Sequence, residues 1–461
     1  MAAVPLAPPP GTNILSFAVT ITGMSLTPSG GGSAVNLTLP ATSITVDLMR
    51  LQSDSALLGQ ALATVPAATY NQITVSVSSV VVTYCTQTSP GTQGCATGTV
   101  AQVSQTTAST PATSSFSMTL SNNQQVGVQI QFNLAKALTL SSTQPQVVSA
   151  VDLTASGVLT ASVLAPTSTT SSLATGQLDF VEDVTGLVTA ATSTSVTIQT
   201  ATRGSITATS SSSTFFSPNC TGFSLPTTMG CAKVNQIASI DVALNADGTF
   251  TLLDYDPLDT AASDWIEGVV TLVPTSSTQF QIIANDLFQP SSGSLVGTNL
   301  PLGSTVTVNL GAGATFGVDA KGFTVPAEAT TFAGSNDTSV LRPGQTVAVH
   351  VSSFTAASGT PASATVDFVG LRFTRVTGSV SSVAAPTSVS IGSPSLPAFF
   401  GQINIELAEL NTASAPSTAP TNYDGVSDGF GLSVNNTVSI RALYFGPSSA
   451  KPFTCAKVRK H

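Results

Sequence analysis

The stretch that decides the fold is Val126-Gly-Val-Gln-Ile-Gln-Phe-Asn-Leu134, in which apolar and polar residues alternate. Successive side chains of a strand point to opposite faces, so this pattern predicts a β-strand with one buried face and one wet face. The same alternation recurs at Leu15–Ile21, Ile44–Leu48 and Ile73–Val77. Only Leu48–Ala63, with leucines in rough helical phase, favours a short helix. The sequence therefore predicts an all-β protein.

Composition narrows the class of protein further. Of 461 residues, 8% are charged and 42% are hydrophobic. A disordered chain is excluded, because disorder requires low hydrophobicity and high charge. The net charge of −9 argues against a nucleic-acid partner, which needs clustered cations. No run of 18 apolar residues occurs, so a transmembrane helix is excluded, and the length predicts several domains.

Short similar strands recur after a Ser/Thr-rich linker. The opening strand of each repeat is Val184–Val188, Ile266–Val270 or Val376–Val380, with glycine at its centre. A second strand follows each, and a later strand begins after an Asn or Gly turn. The irregular spacing favours independent units on a string over a solenoid, which needs a fixed period. The predicted organisation is a Pro-rich stalk (1–12), a β-sandwich (13–165), a linker (166–178), three β-barrel or sandwich repeats (179–262, 263–373 with an insertion near Pro290–Gly303, and 374–450) and a basic tail (451–461).

Four short motifs stand out in the N-terminal third of the chain: Thr45–Leu51, Ala61–Pro66, Ala68–Ile73 and Val128–Lys136. Through them, residues 13–165 resemble a family of bacterial secreted or lipoprotein-type domains of unknown function. This resemblance implies an immunoglobulin- or transthyretin-like β-sandwich in the cell envelope. The repeats after residue 180 are similar to a second bacterial family of unknown function, built of small tandem β-barrels. Neither resemblance supplies a catalytic residue.

The cysteines predict an oxidising compartment. Cys85 and Cys95, and Cys220 and Cys231, each bracket a loop-like stretch whose base a disulfide would close. Such a bridge stabilises a fold by about 2.5–3 kcal/mol. Cys455 is left as a free thiol or an intermolecular partner. Met1–Pro10 lacks the basic start and the apolar core of a signal peptide and is typical of the Pro-rich stalk that follows a cleaved signal or a lipidated cysteine. Together with the predicted disulfides, it leads us to expect a protein that is secreted, displayed at the surface or lipid-anchored.

Acidic residues concentrate at the predicted joint between the first two repeats. Seven of the 22 acids lie there: Asp241, Asp247, Asp254, Asp256, Asp259, Asp264 and Glu267. Asp254, Asp256 and Asp259 offer oxygen ligands of the kind calcium takes, but no calcium-loop spacing is present, so a solvated linker is favoured. Asp179, Glu182 and Asp183 form a similar joint before the first repeat.

No catalytic set is found. His350 and His461 are the only histidines, no Gly-x-Ser-x-Gly turn exists, and Gly311–Gly317 lacks the dinucleotide fingerprint. We therefore expect no enzyme activity and no cofactor or metal, with a hydrolase the least favoured class. Tyr255 and Trp265 form a possible carbohydrate-binding face, against the favoured interpretation of Trp265 as an interdomain packing residue.

The low charge and the Ser/Thr-rich strands also indicate how the protein could associate with partners. Four cations occupy the last 11 residues, as a solvated tail or as contacts with the acidic joints: Lys451, Lys457, Arg459 and Lys460. Flat strand edges favour pairing with a second copy or another envelope protein. The sequence predicts a non-enzymatic, extracytoplasmic bacterial cell-envelope protein with a structural, adhesive or assembly role. The alternative is a module that binds polysaccharide or another envelope ligand.

Overall fold

Strands dominate the computed structural model, which confirms the all-β fold class. None of the helices among the described residues is long and apolar enough to cross a membrane. The structure describes residues 2–4, 12–52, 65–86, 95, 99–105, 111–122, 126–143, 146–164, 180–217, 220, 229–245, 249–274, 278–320, 327–385, 387–392, 403–407, 422–424, 426, 429–446 and 452–461.

The N-terminal unit encloses one core between two larger sheets. Its strands are β1 (Ala2–Val4), β2 (Thr12–Pro28), β3 (Val35–Leu37), β4 (Ile44–Asp47), β5 (Ala68–Thr86), β6 (Val100–Ser104), β7 (Ala112–Leu120), β8 (Gly127–Asn133), β9 (Leu138–Leu140), β10 (Val148–Val151) and β11 (Leu159–Leu164). Strands β3-β2-β5-β6 form one sheet, to which β4 and β7 add, and β1-β8-β11 form another. Strand β2 is buried on both sides: Phe17 and Val19 enter this unit's core, whereas Ala18 joins the core of a later unit.

One local expectation for this unit is wrong, and another lies mostly outside the described residues. Residues 2–4 of the predicted stalk pair in parallel with β8, and residues 5–11 lie outside the described residues. The predicted helix at 48–63 contains one 3₁₀ turn, Arg50–Gln52, and residues 53–63 are not described.

Two short helices occur where none was expected, α1 (Leu134–Ala137) and α2 (Ala327–Ala333). Asn133 caps α1 by accepting a hydrogen bond from Lys136 N, which turns the end of the deciding strand into a helix.

Two closed five-stranded barrels follow. The first barrel contains β12 (Phe180–Ala191), β13 (Ser195–Thr200), β14 (Gly204–Phe216), β15 (Ile237–Leu244) and β16 (Phe250–Asp259). The second barrel contains β17 (Trp265–Leu272), β18 (Gln279–Phe288), β19 (Thr305–Val318), β20 (Thr346–Thr355) and β21 (Ala362–Arg372). In both, the strand order is first-second-third-fifth-fourth, with the third and fifth strands parallel. This arrangement is that of an OB-type barrel.

The last unit, the third barrel, repeats this order. Its strands are β22 (Thr374–Ala384), β23 (Ser388–Gly392), β24 (Ile403–Leu407), β25 (Asn422–Asp424), β26 (Thr437–Tyr444) and β27 (Phe453–Lys460). Pairings β22–β23, β23–β24, β24–β27, β27–β26 and β26–β22 close a ring. The predicted solvated tail at 451–461 is therefore wrong over 453–460, where the residues form a buried strand that the ring requires.

In the first two barrels, a glycine at the centre of the opening strand allows the second strand to approach closely. A Cβ on Gly186 would collide with the carbonyl oxygen of Gln199, and one on Gly268 would collide with that of Ile283. These two glycines are the centres of the repeated sequence pattern, so the pattern reflects the tight curvature of a small barrel.

The turn before the fourth strand of each barrel is also built in the same way. Asn235 and Asn435 have positive φ, and glycine takes the equivalent position in the second barrel at Gly344. The next residue in each turn accepts a hydrogen bond from a backbone N–H three positions earlier. These bonds join Lys233 to Gln236 (2.7 Å), Arg342 to Gln345 (2.7 Å) and Ser433 to Asn436 (2.9 Å). The side chain thus fixes a turn that only Asn and Gly adopt readily.

The four units pack against one another, so the expectation of independent units on a string is wrong. Gly303, in the predicted insertion, accepts hydrogen bonds through its carbonyl oxygen from Thr83 Oγ1 (2.7 Å) and Gln102 Nε2 (2.8 Å) of the N-terminal unit. Gln345 of the second barrel donates to the carbonyl oxygen of Tyr444 in the third (3.0 Å). The insertion therefore serves as a docking surface for the N-terminal unit.

Substituting the opening-strand glycines tests the barrel geometry. We expect Gly186→Ala and Gly268→Ala each to lower the free energy of unfolding by about 1–3 kcal/mol, the usual cost of overpacking, because the added methyl meets backbone. Gly30→Ala is the control, since nothing lies within 4 Å of a Cβ there, and its effect should stay within about 0.5 kcal/mol. Urea denaturation measures all three. Equal stabilities would contradict the close approach.

Candidate functional site

Ten charged residues from all four units meet at the centre of the molecule; eight are buried, and the other two, Arg203 and Arg375, are nearly so. We call this set the ionic hub: Arg50, Asp183, Arg203, Asp241, Glu267, Asp286, Asp319, Arg372, Arg375 and Arg441. The hub contains five carboxylates and five arginines. The chain has seven arginines in all. Equal numbers of opposite charges make burial tolerable, because isolated buried charges cost several kcal/mol each.

Arg372, at the end of β21, is the centre of the hub and is only 1% exposed. Its Nε donates to Glu267 (3.0 Å), one terminal nitrogen donates to Asp319, and the other donates to Asp183 (3.3 Å). Burial by itself lowers the pKa of Arg372, but Asp319, Asp183 and Glu267 outweigh it and raise this pKa above its usual value. The guanidinium therefore stays charged and holds the first and second barrels together.

Arg50 anchors the N-terminal unit to the second barrel. Its Nη1 lies 2.9 Å from Glu267 and 2.8 Å from Asp286, which also pairs with Arg203 of the first barrel at 2.8 Å. Beside this pair, Asn285 Nδ2 donates to Asp47 (2.5 Å). The 3₁₀ turn at 50–52 is thus positioned by its arginine rather than by helix propensity.

The first and third barrels meet through charges of opposite sign at equivalent strand positions. Strand register aligns Asp183, Asp241 and Asp254 of the first barrel with Arg375, Arg441 and Lys457 of the third. Asp183 accepts from Arg375 at 2.7 Å, and Asp241 accepts from Arg441 at 3.1 Å. In the second barrel the same positions hold Trp265, His350 and Phe368. Opposite charges at these positions therefore pair the first barrel with the third.

Asp256 stands next to the hub as a carboxyl that favours its protonated form. It is fully buried, and burial is the main reason that its pKa is raised well above the usual value. The charges of Asp319 and Asp254 and a hydrogen bond with Asp319 raise it further, while the Ser217 hydroxyl acts in the opposite direction. A protonated Asp256 donates to Asp319, which in turn accepts from Arg372.

The predicted solvated acidic joints are wrong for every acid that the structure describes there except Asp259, which is partly exposed. Asp183, Asp241, Asp256, Asp264 and Glu267 are buried because strand pairing places them in the hub or against neighbouring backbone. Asp264, for example, accepts from Leu295 N at 2.7 Å. Residues 179 and 247, and the side chain of residue 182, lie outside the description.

The three calcium candidates do not converge. Asp254 and Asp256 are buried on β16, whereas Asp259 at its end accepts hydrogen bonds from Ser263 (2.5 Å) and the Trp265 indole (3.3 Å). Within the described ranges, no three His, Cys, Asp or Glu side chains form a group that would hold a metal ion. The raised pKa of Asp256 also disfavours the carboxylate that calcium requires.

A cavity of about 550 Å³ separates the first and second barrels, and we call it the cleft. Trp265 and Phe368 line it from the second barrel, and Lys233, Gln236 and Asp259 line it from the first. Trp265 is only 5% exposed and packs among residues of both barrels, as expected of an interdomain packing residue.

Tyr255, the other residue of the predicted ligand face, is not at this surface. It is buried in the core of the first barrel, where its hydroxyl donates to Gln236 (3.0 Å). Burial, with a contribution from Asp256, raises the pKa of Tyr255 above its usual range. The predicted face is thus wrong for Tyr255, while Trp265 lies at the edge of a cleft.

The cysteine predictions are confirmed. Cys85 bonds to Cys95 and Cys220 to Cys231, with Cα separations of 5.9 Å and 5.3 Å. Cys455 is outside both disulfides and is buried within the third barrel, where its Sγ donates to the carbonyl oxygen of Lys457 at 3.2 Å. The Cys85–Cys95 bridge packs with Leu15 against Ile283 of the second barrel, so it also supports the contact between units.

Sequence reasoning missed the hub and most of the cleft. One signal was present: Glu267 occupies the repeat position held by Thr185 and Thr377 in the other barrels. Those threonines hydrogen-bond to serines across the strand pair, Ser239 at 3.1 Å and Ser439 at 2.8 Å. In the second barrel Ala348 faces Glu267 instead, which frees the carboxylate for Arg372 and Arg50.

Comparison with known proteins gives one family match, which covers the N-terminal part of the chain. Residues 4–150 match the family model described as a domain of unknown function (DUF4382). The matched region contains Asp47 and Arg50, which join the N-terminal unit to the second barrel. No curated protein and no solved structure matches the chain. The kinship of the barrels to a second family remains a prediction.

Two isosteric substitutions test whether Asp256 is protonated and donates to Asp319. In wild type the raised pKa of Asp256 means that the folded state binds the proton more tightly than the unfolded state. The free energy of unfolding therefore falls as the pH rises from about 4 towards that raised pKa. Asp256→Asn keeps a donor towards Asp319 and cannot ionise, so we expect it to remove this decline. Urea denaturation between pH 4 and 8 measures the effect.

Asp319→Asn is the matched comparison. It removes a buried partner of Arg372, so we expect it to lower the free energy of unfolding by about 3–5 kcal/mol. A variant at Asp256 that loses as much stability as the variant at Asp319, or that keeps the wild-type pH profile, would contradict a protonated Asp256.

Proposed function

We propose that this chain is a non-enzymatic, extracytoplasmic protein of the bacterial cell envelope with a structural or adhesive role. The observation that carries the proposal is the ionic hub, which joins four successive β units into one body. A flexible series of binding domains has no need for such a junction, whereas an element that bears load or holds surfaces at fixed spacing does.

The strength of the junction follows from its burial. Arg372, Arg441, Glu267 and Asp183 are each at most 1% exposed, so salt and water screen their pairs little. Removing one member leaves its partners buried and unpaired, which costs several kcal/mol. Separation of the units is therefore unfavourable even though no covalent bond closes the junction.

Both disulfides support the extracytoplasmic part of the proposal. Bridges persist in oxidising compartments and are rare in reducing cytosol. Here they close loops in two different units and lie where the units meet: one packs against the second barrel and the other lines the cleft. A chain that depended on them would be poorly suited to the cytosol.

Thiol counting on protein isolated from its own cells tests the compartment. Under denaturing conditions without reductant, we expect alkylation of one cysteine, Cys455, and of all five after reduction. Intact mass gives the count directly. In parallel, a membrane-impermeant biotin reagent applied to intact cells should label the chain, and the chain should sediment with envelope fragments.

Two results would overturn the proposal. Five alkylated cysteines without reductant would place the chain in a reducing compartment. Labelling that appears only after lysis, together with recovery in the soluble cytosolic fraction, would remove the envelope role altogether.

A further inference from the structure

The floor of the cleft is a part of the second barrel's sheet that carries almost no side-chain bulk. Ala348, Gly370 and Gly317 lie side by side on three neighbouring strands, because Ala348 pairs with Gly370 and Gly370 with Gly317. None of them has a side chain beyond Cβ. The sheet therefore leaves room above its backbone for a large side chain to lie flat on it.

An aromatic ring lies on one end of this floor. A Cβ on Gly317 would stand 2.6 Å from Phe368 Cζ, and one on Gly370 would stand 3.1 Å from Phe368 Cε1. The ring thus rests over both glycines, and Trp265 meets it edge-on with ring centroids 5.7 Å apart. The glycines are what allow an aromatic surface in the cleft.

The opposite wall supplies hydrogen-bonding groups from the first barrel. Gln236 is 5% exposed, and its Oε1 accepts from Lys233 N and the Tyr255 hydroxyl. Its Nε2 has no hydrogen-bond partner within the described part of the chain, although the residue lines the cleft. Lys233 is exposed and forms no ion pair with the described residues, and Asp259 offers carboxylate oxygens.

These groups define the chemistry of the ligand. Lys233 and Asp259 balance in charge, and Arg372 at the inner end of the cleft is already neutralised by its carboxylates. The cleft therefore presents donors, acceptors and an aromatic surface without net charge. Its volume of about 550 Å³ lies within the range of small-molecule sites, roughly 300–1,000 Å³.

We propose that the cleft binds one or two rings of a neutral saccharide. The apolar face of a sugar ring packs on the Phe368 ring, and its hydroxyls bond to Gln236 Nε2, Asp259 and Lys233. This inference goes beyond the structural role proposed above and does not depend on it. A saccharide-binding protein found in the cytosol would overturn the first proposal alone.

The single tryptophan makes the test specific to the cleft. Trp265 is the only tryptophan in the chain, so its fluorescence reports on this site alone. The full chain is titrated with neutral oligosaccharides of glucose, galactose, mannose and N-acetylglucosamine, with galacturonate oligosaccharides as an anionic comparison. We expect a saturable change in Trp265 emission with at least one neutral sugar, matched by the heat of binding in calorimetry.

Three variants assign the contacts. Phe368→Ala should weaken binding at least tenfold. Gln236→Glu keeps the Oε1 that holds the turn but loses the Nε2 donor, and should weaken binding about tenfold. Phe430→Ala is the control, because Phe430 is an aromatic residue 71% exposed on the third barrel, and it should bind like wild type. Retained disulfides and a cooperative urea transition verify that each variant is folded.

Several outcomes would overturn the inference. These are no response to any neutral sugar, binding that leaves Trp265 emission unchanged, a response to galacturonate alone, and unchanged affinity in folded Phe368→Ala and Gln236→Glu.

Discussion

The pairing of Arg372 with Glu267, Asp319 and Asp183 is the interaction on which the rest of the structure depends. A guanidinium presents five donors in a rigid fork, so one arginine can fix three carboxylates from two units in a single geometry. With those carboxylates fixed in place, Asp183 also pairs with Arg375 of the third barrel, and Glu267 pairs with Arg50 of the N-terminal unit. The arrangement of the four units follows from this one side chain.

The barrels themselves were largely predictable because their signals are local. The alternation of apolar and polar residues predicted the strands. The glycines at 186 and 268 mark where two strands approach too closely for a side chain. Asn235, Gly344 and Asn435 mark turns with positive φ. Each of these features depends on residues within one hairpin, so a pattern a few residues long is sufficient to show it.

The hub was not predictable, because its partners are far apart in the sequence. Arg50 and Asp286 are separated by 236 positions, and Arg441 and Asp241 by 200. A local rule reads seven acids within 27 residues as a solvated linker, since charge clusters are usually exposed. The cleft was missed for a related reason: its aromatic and amide groups come from different barrels, and only their docking brings Phe368 opposite Gln236.

The opposite charges on the first and third barrels also have a consequence for folding. Each barrel can close from its own strands, whereas the hub requires contacts across about 200 positions and therefore forms late. Until docking, one barrel exposes a negative face and another a positive face. In two partly folded molecules, the negative face of one can then bind the positive face of the other. Folding is therefore sensitive to protein concentration and to salt.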